Sequence, residues 1–118
     1  MANPNIVNVT TIYGNTAALV VGTALANIVS NPADSGQIIK INNCIVTNAN
    51  TSTITVTLEY NKAGTNTAIA KALNVPAAAS LVLLGKDTGI YLLENESIQL
   101  SASATNSITA VSSFEQIS

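Results

Sequence analysis

The sequence has no histidine, no tryptophan and no arginine, one cysteine, and four lysines against six acids, so charged residues make up only 8% of its 118 positions. Without histidine, the side chain that most often moves protons near neutral pH is missing, and a general base would have to be a carboxylate. Without arginine there is no guanidinium fork to clamp phosphate or read a base edge. A formal charge of -2 likewise leaves no basic stripe along a nucleic-acid backbone, so no nucleic-acid partner is expected. Cys44 cannot close an intramolecular disulfide, and with no histidine or second thiol it cannot build a zinc site; it is expected to act as a small buried hydrophobe. No apolar run approaches the roughly 18 residues of a membrane span, and Met1-Ala2-Asn3-Pro4-Asn5 carries no cation of a secretory signal. Neither a membrane segment nor a cofactor is expected.

What remains is 47% hydrophobic. A chain of this length buries roughly two-thirds of its unfolded surface, enough for one unaided core. Asn, Thr and Ser take the surface places that Lys, Glu and Arg usually hold, which suits a protein that packs against neighbours rather than one kept apart by charge.

The dominant period is two. Ile54, Val56, Leu58 and Tyr60 alternate with Thr53, Thr55, Thr57 and Glu59, the pattern of a half-buried strand with a solvated threonine face. Ile98, Leu100, Ala102 and Ala104 alternate with serines and Gln99. Ile108, Ala110, Ser112 and Phe114 then oppose Thr109, Val111, Ser113 and Glu115, with Thr105-Asn106-Ser107 reading as a hairpin connection between the two runs. Residues 37–47 carry apolar side chains on both faces, which predicts a mid-sheet strand covered on both sides. Residues 68–73 and 77–84 read as strands flanking a bend at Pro76, each too short for a stable helix. Turn chemistry falls at Gly14-Asn15, Asn31 to Gly36, Asn48 to Asn50, Asn61 to Gly64, Lys86 to Gly89 and Glu94 to Glu96. Regular turns between β-branched runs predict an all-β fold: a single antiparallel β-sandwich or jelly-roll-like domain over residues 13–118, preceded by an N-terminal arm or edge strand, residues 1–12.

Catalytic patterns are missing. Glu94 and Glu96 are the nearest carboxylate pair, but they sit on one turn rather than across a cleft. Asp34, with Asn31 and Ser35, offers too few carboxylates for calcium and reads as a turn residue bonding its own backbone. No Gly-x-Ser-x-Gly, Ser-x-x-Lys or phosphate loop occurs. The three matches to the glycosylation pattern, at Asn8, Asn50 and Asn95, are what chance gives in so Asn- and Thr-rich a chain.

An ordered series of segments runs nearly the whole chain. It comprises Val7-Asn8-Val9-Thr10-Thr11-Ile12 with Gly14, Asn31-Pro32 with Ser35-Gly36, and Lys40-Ile41-Asn42 leading to Ile45-Val46-Thr47-Asn48. Ile69-Ala70-Lys71, Val75-Pro76-Ala77, Leu81-Val82-Leu83-Leu84, Lys86-Asp87-Thr88 and Ile90-Tyr91-Leu92 follow. The series closes with the acidic turn Glu94 to Ser97, Ala102-Ser103-Ala104 and Ser113-Phe114-Glu115-Gln116-Ile117-Ser118. In this order the chain resembles a family of small virion structural proteins of tailed bacteriophages, frequent in phages of cyanobacteria and other marine bacteria. Asn95 stands where that family's acidic turn has Gly, and Phe114 where its closing aromatic is often Tyr; Asn tolerates the left-handed geometry such a turn needs.

The resemblance implies a non-enzymatic β-sandwich on the outer capsid surface, a decoration or cement protein bound to the major capsid protein. A homotrimer follows if it sits at a threefold point. The arm, through Asn3, Asn5, Val7 and Val9, is the candidate segment that orders on capsid contact, so deleting residues 1–12 is expected to weaken binding and leave the sandwich folded. Two other readings stand beside it: a tail, neck or baseplate adaptor, and a module recognising host-surface carbohydrate. The last would need some of Tyr13, Tyr60, Tyr91 and Phe114 exposed together.

Overall fold

The computed structural model of the chain describes residues 11–85, 87 and 89–118. Within them the alternating runs become β1 (Ile12–Val21), β2 (Ala26–Asn31), β3 (Ile38–Asn48), β4 (Ile54–Lys62), β5 (Thr65–Val75), β6 (Ser80–Leu84), β7 (Ile90–Leu92), β8 (Glu96–Ala102) and β9 (Ile108–Ile117). They form two antiparallel sheets. The first has the order β1-β9-β3-β6, with β7 also paired to β3; the second runs β2-β8-β4-β5. The sheets pack as the expected β-sandwich. Period-two patterning fixes which face turns inward: Ile54, Val56 and Leu58 of β4 are buried while Thr55, Thr57 and Glu59 are half-exposed. Ile98 and Leu100 of β8, Ile108 and Phe114 of β9, and Ile39, Ile41, Cys44 and Val46 of β3 join them in one core. Each fully buried Ile, Leu or Val contributes about 1.5–3 kcal/mol relative to an exposed one.

Four details depart from the sequence expectations. β8 and β9 are not hairpin partners: β8 pairs with β2 and β4, whereas β9 pairs with β1 and β3. Both runs bury one face, but each does so from the centre of a different sheet, so their link crosses the sandwich. Gly14-Asn15 is no turn. β1 runs straight through it, with Gly14 opposite Glu115 and Asn15 opposite Phe114, because strand pairing over ten residues overrides a two-residue propensity. β3 is central in its sheet, yet only one face is covered: Lys40, Asn43 and Ile45 are half-exposed and Thr47 exposed. The bend at Pro76 extends through Ala79, whose N–H donates to the Pro76 carbonyl at 3.2 Å, so the following strand starts at Ser80 rather than Ala77.

The β4–β5 hairpin turns on Ala63-Gly64, with φ of 51° and 94° and Lys62 opposite Thr65. Positive φ at both central residues is the two-residue turn whose twist matches paired strands. Asn95 sits at φ 63°, in the left-handed geometry expected of it.

Candidate functional site

Two buried asparagines close the two ends of the sandwich, each as the last residue of its strand. Asn31 of β2 donates from Nδ2 to the carbonyls of Gln37 (2.9 Å) and Leu92 (3.0 Å), and its Oδ1 accepts from Ser35 Oγ (2.5 Å). Asn48 of β3 donates to the carbonyls of Ser52 and Val75, both at 2.9 Å, and its Oδ1 accepts from the Asn50 N–H at 2.9 Å. Through Leu92 and Val75 each amide ties one sheet to the other. Of the oxygens considered for calcium, those of Asn31 and Ser35 are therefore engaged in this clasp with one another.

The acidic pair is also engaged. Glu94 Oε2 accepts from the Gly36 N–H at 2.6 Å. Glu96, buried at the start of β8, accepts from the Leu93 N–H (3.0 Å) and the Tyr60 hydroxyl (2.5 Å) through one oxygen. Burial, and then the hydrogen bond and charge of Glu96, push the Tyr60 hydroxyl up to about 12. Cys44 is fully buried, as expected, and desolvation pushes its thiol up to about 11, which makes it a poor nucleophile.

Two concavities and one apolar band make up the candidate contact surface. An apolar cleft of about 320 Å³ opens between β4–β5 and β7, lined by Tyr60, Thr67, Ile69, Ile90 and Tyr91. At this point β5 bulges against β4, in mid-strand: Leu58 stands opposite Ala70 and Glu59 opposite Ala68, so Ile69 is the extra residue of the ladder. A polar depression of about 410 Å³ lies on the outer face of the first sheet, lined by Lys40, Asn42, Asn43, Ser113 and Glu115. Its origin is the β3 bulge at Asn42. There the Asn43 carbonyl accepts from Ser112 Oγ at 2.7 Å, while Asn43 Oδ1 accepts the Ser113 N–H at 3.0 Å.

Beside it, Ala18, Val111, Ile45 and Val82 stand in one register row across all four main strands of that sheet. Val111 and Val82 are 42% and 59% exposed, which makes the row an apolar band flanked by Thr16, Ser113 and Asn43 on one side and by Val20, Thr109, Thr47 and Ser80 on the other. The band was written in the sequence as valines on the polar phase of their strands; only the strand order, which sequence does not give, shows that they line up.

The aromatics do not form one platform. Tyr13 and Tyr91 are exposed, but on strands separated by β9 and β3; Phe114 is buried; Tyr60 shares the cleft with Tyr91, its hydroxyl already bonded to Glu96. Asn3, Asn5, Val7 and Val9 lie outside the described residues. Thr11 and Ile12, the last of the sequence-defined arm, are laddered to Ser118 and Ile117.

No protein-family model matches the chain, and neither does any curated protein. Solved structures do. A chain of the acid-stable capsid of Helicobacter pylori bacteriophage KHP30 superposes with a TM-score of 0.54 at 10% identity, covering 93% of this chain and 90% of that one. A chain of the Bacillus endospore appendages, a family of disulfide-linked pili, gives 0.53 at 14% identity, covering 92% and 88%. A chain of the T13 IBDV viral particle gives 0.53 at 7% identity; the likeness takes in 92% of this chain but only 31% of that longer one. At such identities the shared property is the sandwich itself.

Proposed function

We propose that this chain is a non-enzymatic structural protein of a tailed-phage virion, a decoration protein that binds the major capsid protein on the outer head surface and cements the shell. The observation that carries the reading is the superposition, over nearly the full length of both chains, on a chain of a phage capsid. A surface of Asn, Thr and Ser with few ions supports it, since many identical copies can crowd a shell with little mutual repulsion. At threefold points of a shell, three copies would be grouped as a homotrimer by the capsid beneath them. The arm bearing Asn3, Asn5, Val7 and Val9 is the segment this reading assigns to capsid contact, and the Ala18–Val111–Ile45–Val82 band is the folded surface it assigns to the shell.

Immunogold labelling of purified particles tests the location: gold distributed round the head is the expected result, and absence of the chain from particles by mass spectrometry would remove the reading. Val82→Asp with Val111→Asp is expected to lower particle binding by roughly tenfold or more through burial of two charges, with an unchanged thermal midpoint because both side chains face outward. Binding equal to the parent's would free the band from this role. A second reading, a neck, tail or baseplate component, is favoured by the likeness to a pilus chain, in which the same sandwich belongs to a filament; gold confined to the neck or tail selects it.

A further inference from the structure

We propose that β1 is a self-association edge, pairing antiparallel with β1 of a second copy of this chain about a twofold axis at Thr16. The inference rests on comparing the sheet edges and is independent of the virion reading. A free strand edge is a row of unpaired backbone groups, and folded proteins blunt such edges with bulges, charges, prolines or brevity. β2 is six residues long, bulged between Asn27 and Val29, and runs into Pro32. β5 is twice bulged and carries exposed Lys71. β6 and β7 are five and three residues. β1 has none of these devices: its ten residues pair with β9 in unbroken register, none is charged, and Ile12, Tyr13 and Val20 are 57%, 63% and 59% exposed. Among the described residues, no strand lies on its other side.

The register follows from hydrogen-bond phase. Thr11 and Ser118 exchange both N–H···O bonds, at 2.9 and 3.0 Å. Antiparallel ladders alternate, so the odd residues of β1 face β9, while Ile12, Gly14, Thr16, Ala18 and Val20 present their N–H and C=O to the free edge. A twofold perpendicular to the sheet pairs outward residues only with outward residues. Centring it on Thr16 engages all five: Ile12 with Val20, Gly14 with Ala18, Thr16 with Thr16, each in both directions. The exposed Ile12 and Val20 then cover one another on the outer face. A twofold also sets every residue near the axis against its own kind, so any charge there would meet its like; β1, alone among the long edges, meets that condition of neutrality. In the single chain the outward Thr16 N–H donates to Asn15 Oδ1 at 2.8 Å, an exposed side-chain contact that a second strand would displace.

Sedimentation velocity of the full chain at tens of micromolar is expected to show a dimer. Thr16→Cys should cross-link to its own copy on mild oxidation, because such a pair stands about 5.5 Å apart at Cα. Gly14→Cys alone should not, but should cross-link when mixed with Ala18→Cys. Thr16→Lys, which sets two ammonium groups face to face, should sediment as a monomer with an unchanged thermal midpoint; Thr16→Pro, which removes an outward N–H only, serves if the lysine is tolerated. A monomeric parent without the Thr16→Cys cross-link overturns the proposal. So does a dimer or trimer that survives both substitutions, which would place association on another surface.

Discussion

Asn48 is fully buried and has three side-chain contacts. Its replacement by Ala leaves the Ser52 and Val75 carbonyls without their donor, the second of them at a buried contact. The expected loss is about 2–4 kcal/mol in urea unfolding, with Asn48→Asp losing more, since a carboxylate would meet two carbonyl oxygens. A loss under about 0.5 kcal/mol for Ala would mean the clasp does not hold the sheets. Tyr60 and Cys44 make a second expectation at this scale. Both keep their proton more tightly folded than unfolded, at about 12 against 10.0 and about 11 against 9.0. Below pH 9 both states are protonated and the contribution is complete. As pH rises the unfolded chain releases its protons first, so stability falls, from about pH 9 to 11 through Cys44 and from about pH 10 to 12 through Tyr60. Thermal midpoints across pH 7–12 should therefore bend downward above pH 9. Cys44→Ala should shed the lower part of the bend and Tyr60→Phe the upper; variants falling in parallel with the parent would detach the bend from these groups.

At the scale of elements, packing decides cost by face. Leu58→Ala of β4 opens a cavity in a fully buried site and is expected to cost about 2–5 kcal/mol. Leu73→Ala, on neighbouring β5 and 40% exposed, should cost less than about 1.5 kcal/mol; the pair is read by the same urea unfolding, and equal losses would mean that the second sheet's outer edge is packed more closely than its exposure shows. The alternation that makes this contrast is what the sequence displays best. Ile54-Val56-Leu58 and Ile98-Leu100 announce their buried faces, the Ala63-Gly64 and Asn95 turns announce themselves by residue type, and Pro76 marks its bend. Pairing is less legible, because β8 and β9 carry the same signal whether they bond to each other or face each other across a core. Gly14-Asn15 misleads for a related reason: a turn signal acts over two residues, whereas the ladder from Ile12 to Val21 is enforced by β9. The clasps were visible only as turn asparagines, since nothing local says that an amide at a strand end reaches a carbonyl 61 residues away, as Asn31 reaches Leu92. The apolar band was hidden likewise, being a property of four strands set side by side.

For the whole molecule, the low charge that the composition shows becomes an expectation about how it binds. Four lysines and six acids on 118 residues leave little for counterions to compete with. Exposed charges are screened within about 8–10 Å near physiological salt, while apolar and backbone-rich contacts are not screened at all. If the chain holds to a particle through the Val-bearing band and an uncharged arm, its affinity should change by less than about threefold between 50 and 500 mM salt, where a contact built on several ion pairs would weaken far more. Co-sedimentation of the chain with undecorated particles over that range measures it directly, and repeating it with residues 1–10 deleted separates the two contacts. That deletion spares the Thr11–Ser118 and Ile12–Ile117 pairing that begins the β1–β9 ladder, so the sandwich should melt as the parent does while binding falls. A steep fall with salt would instead assign the contact to charged residues such as Lys40 and Glu115 in the polar depression, moving the docking site along the same outer face.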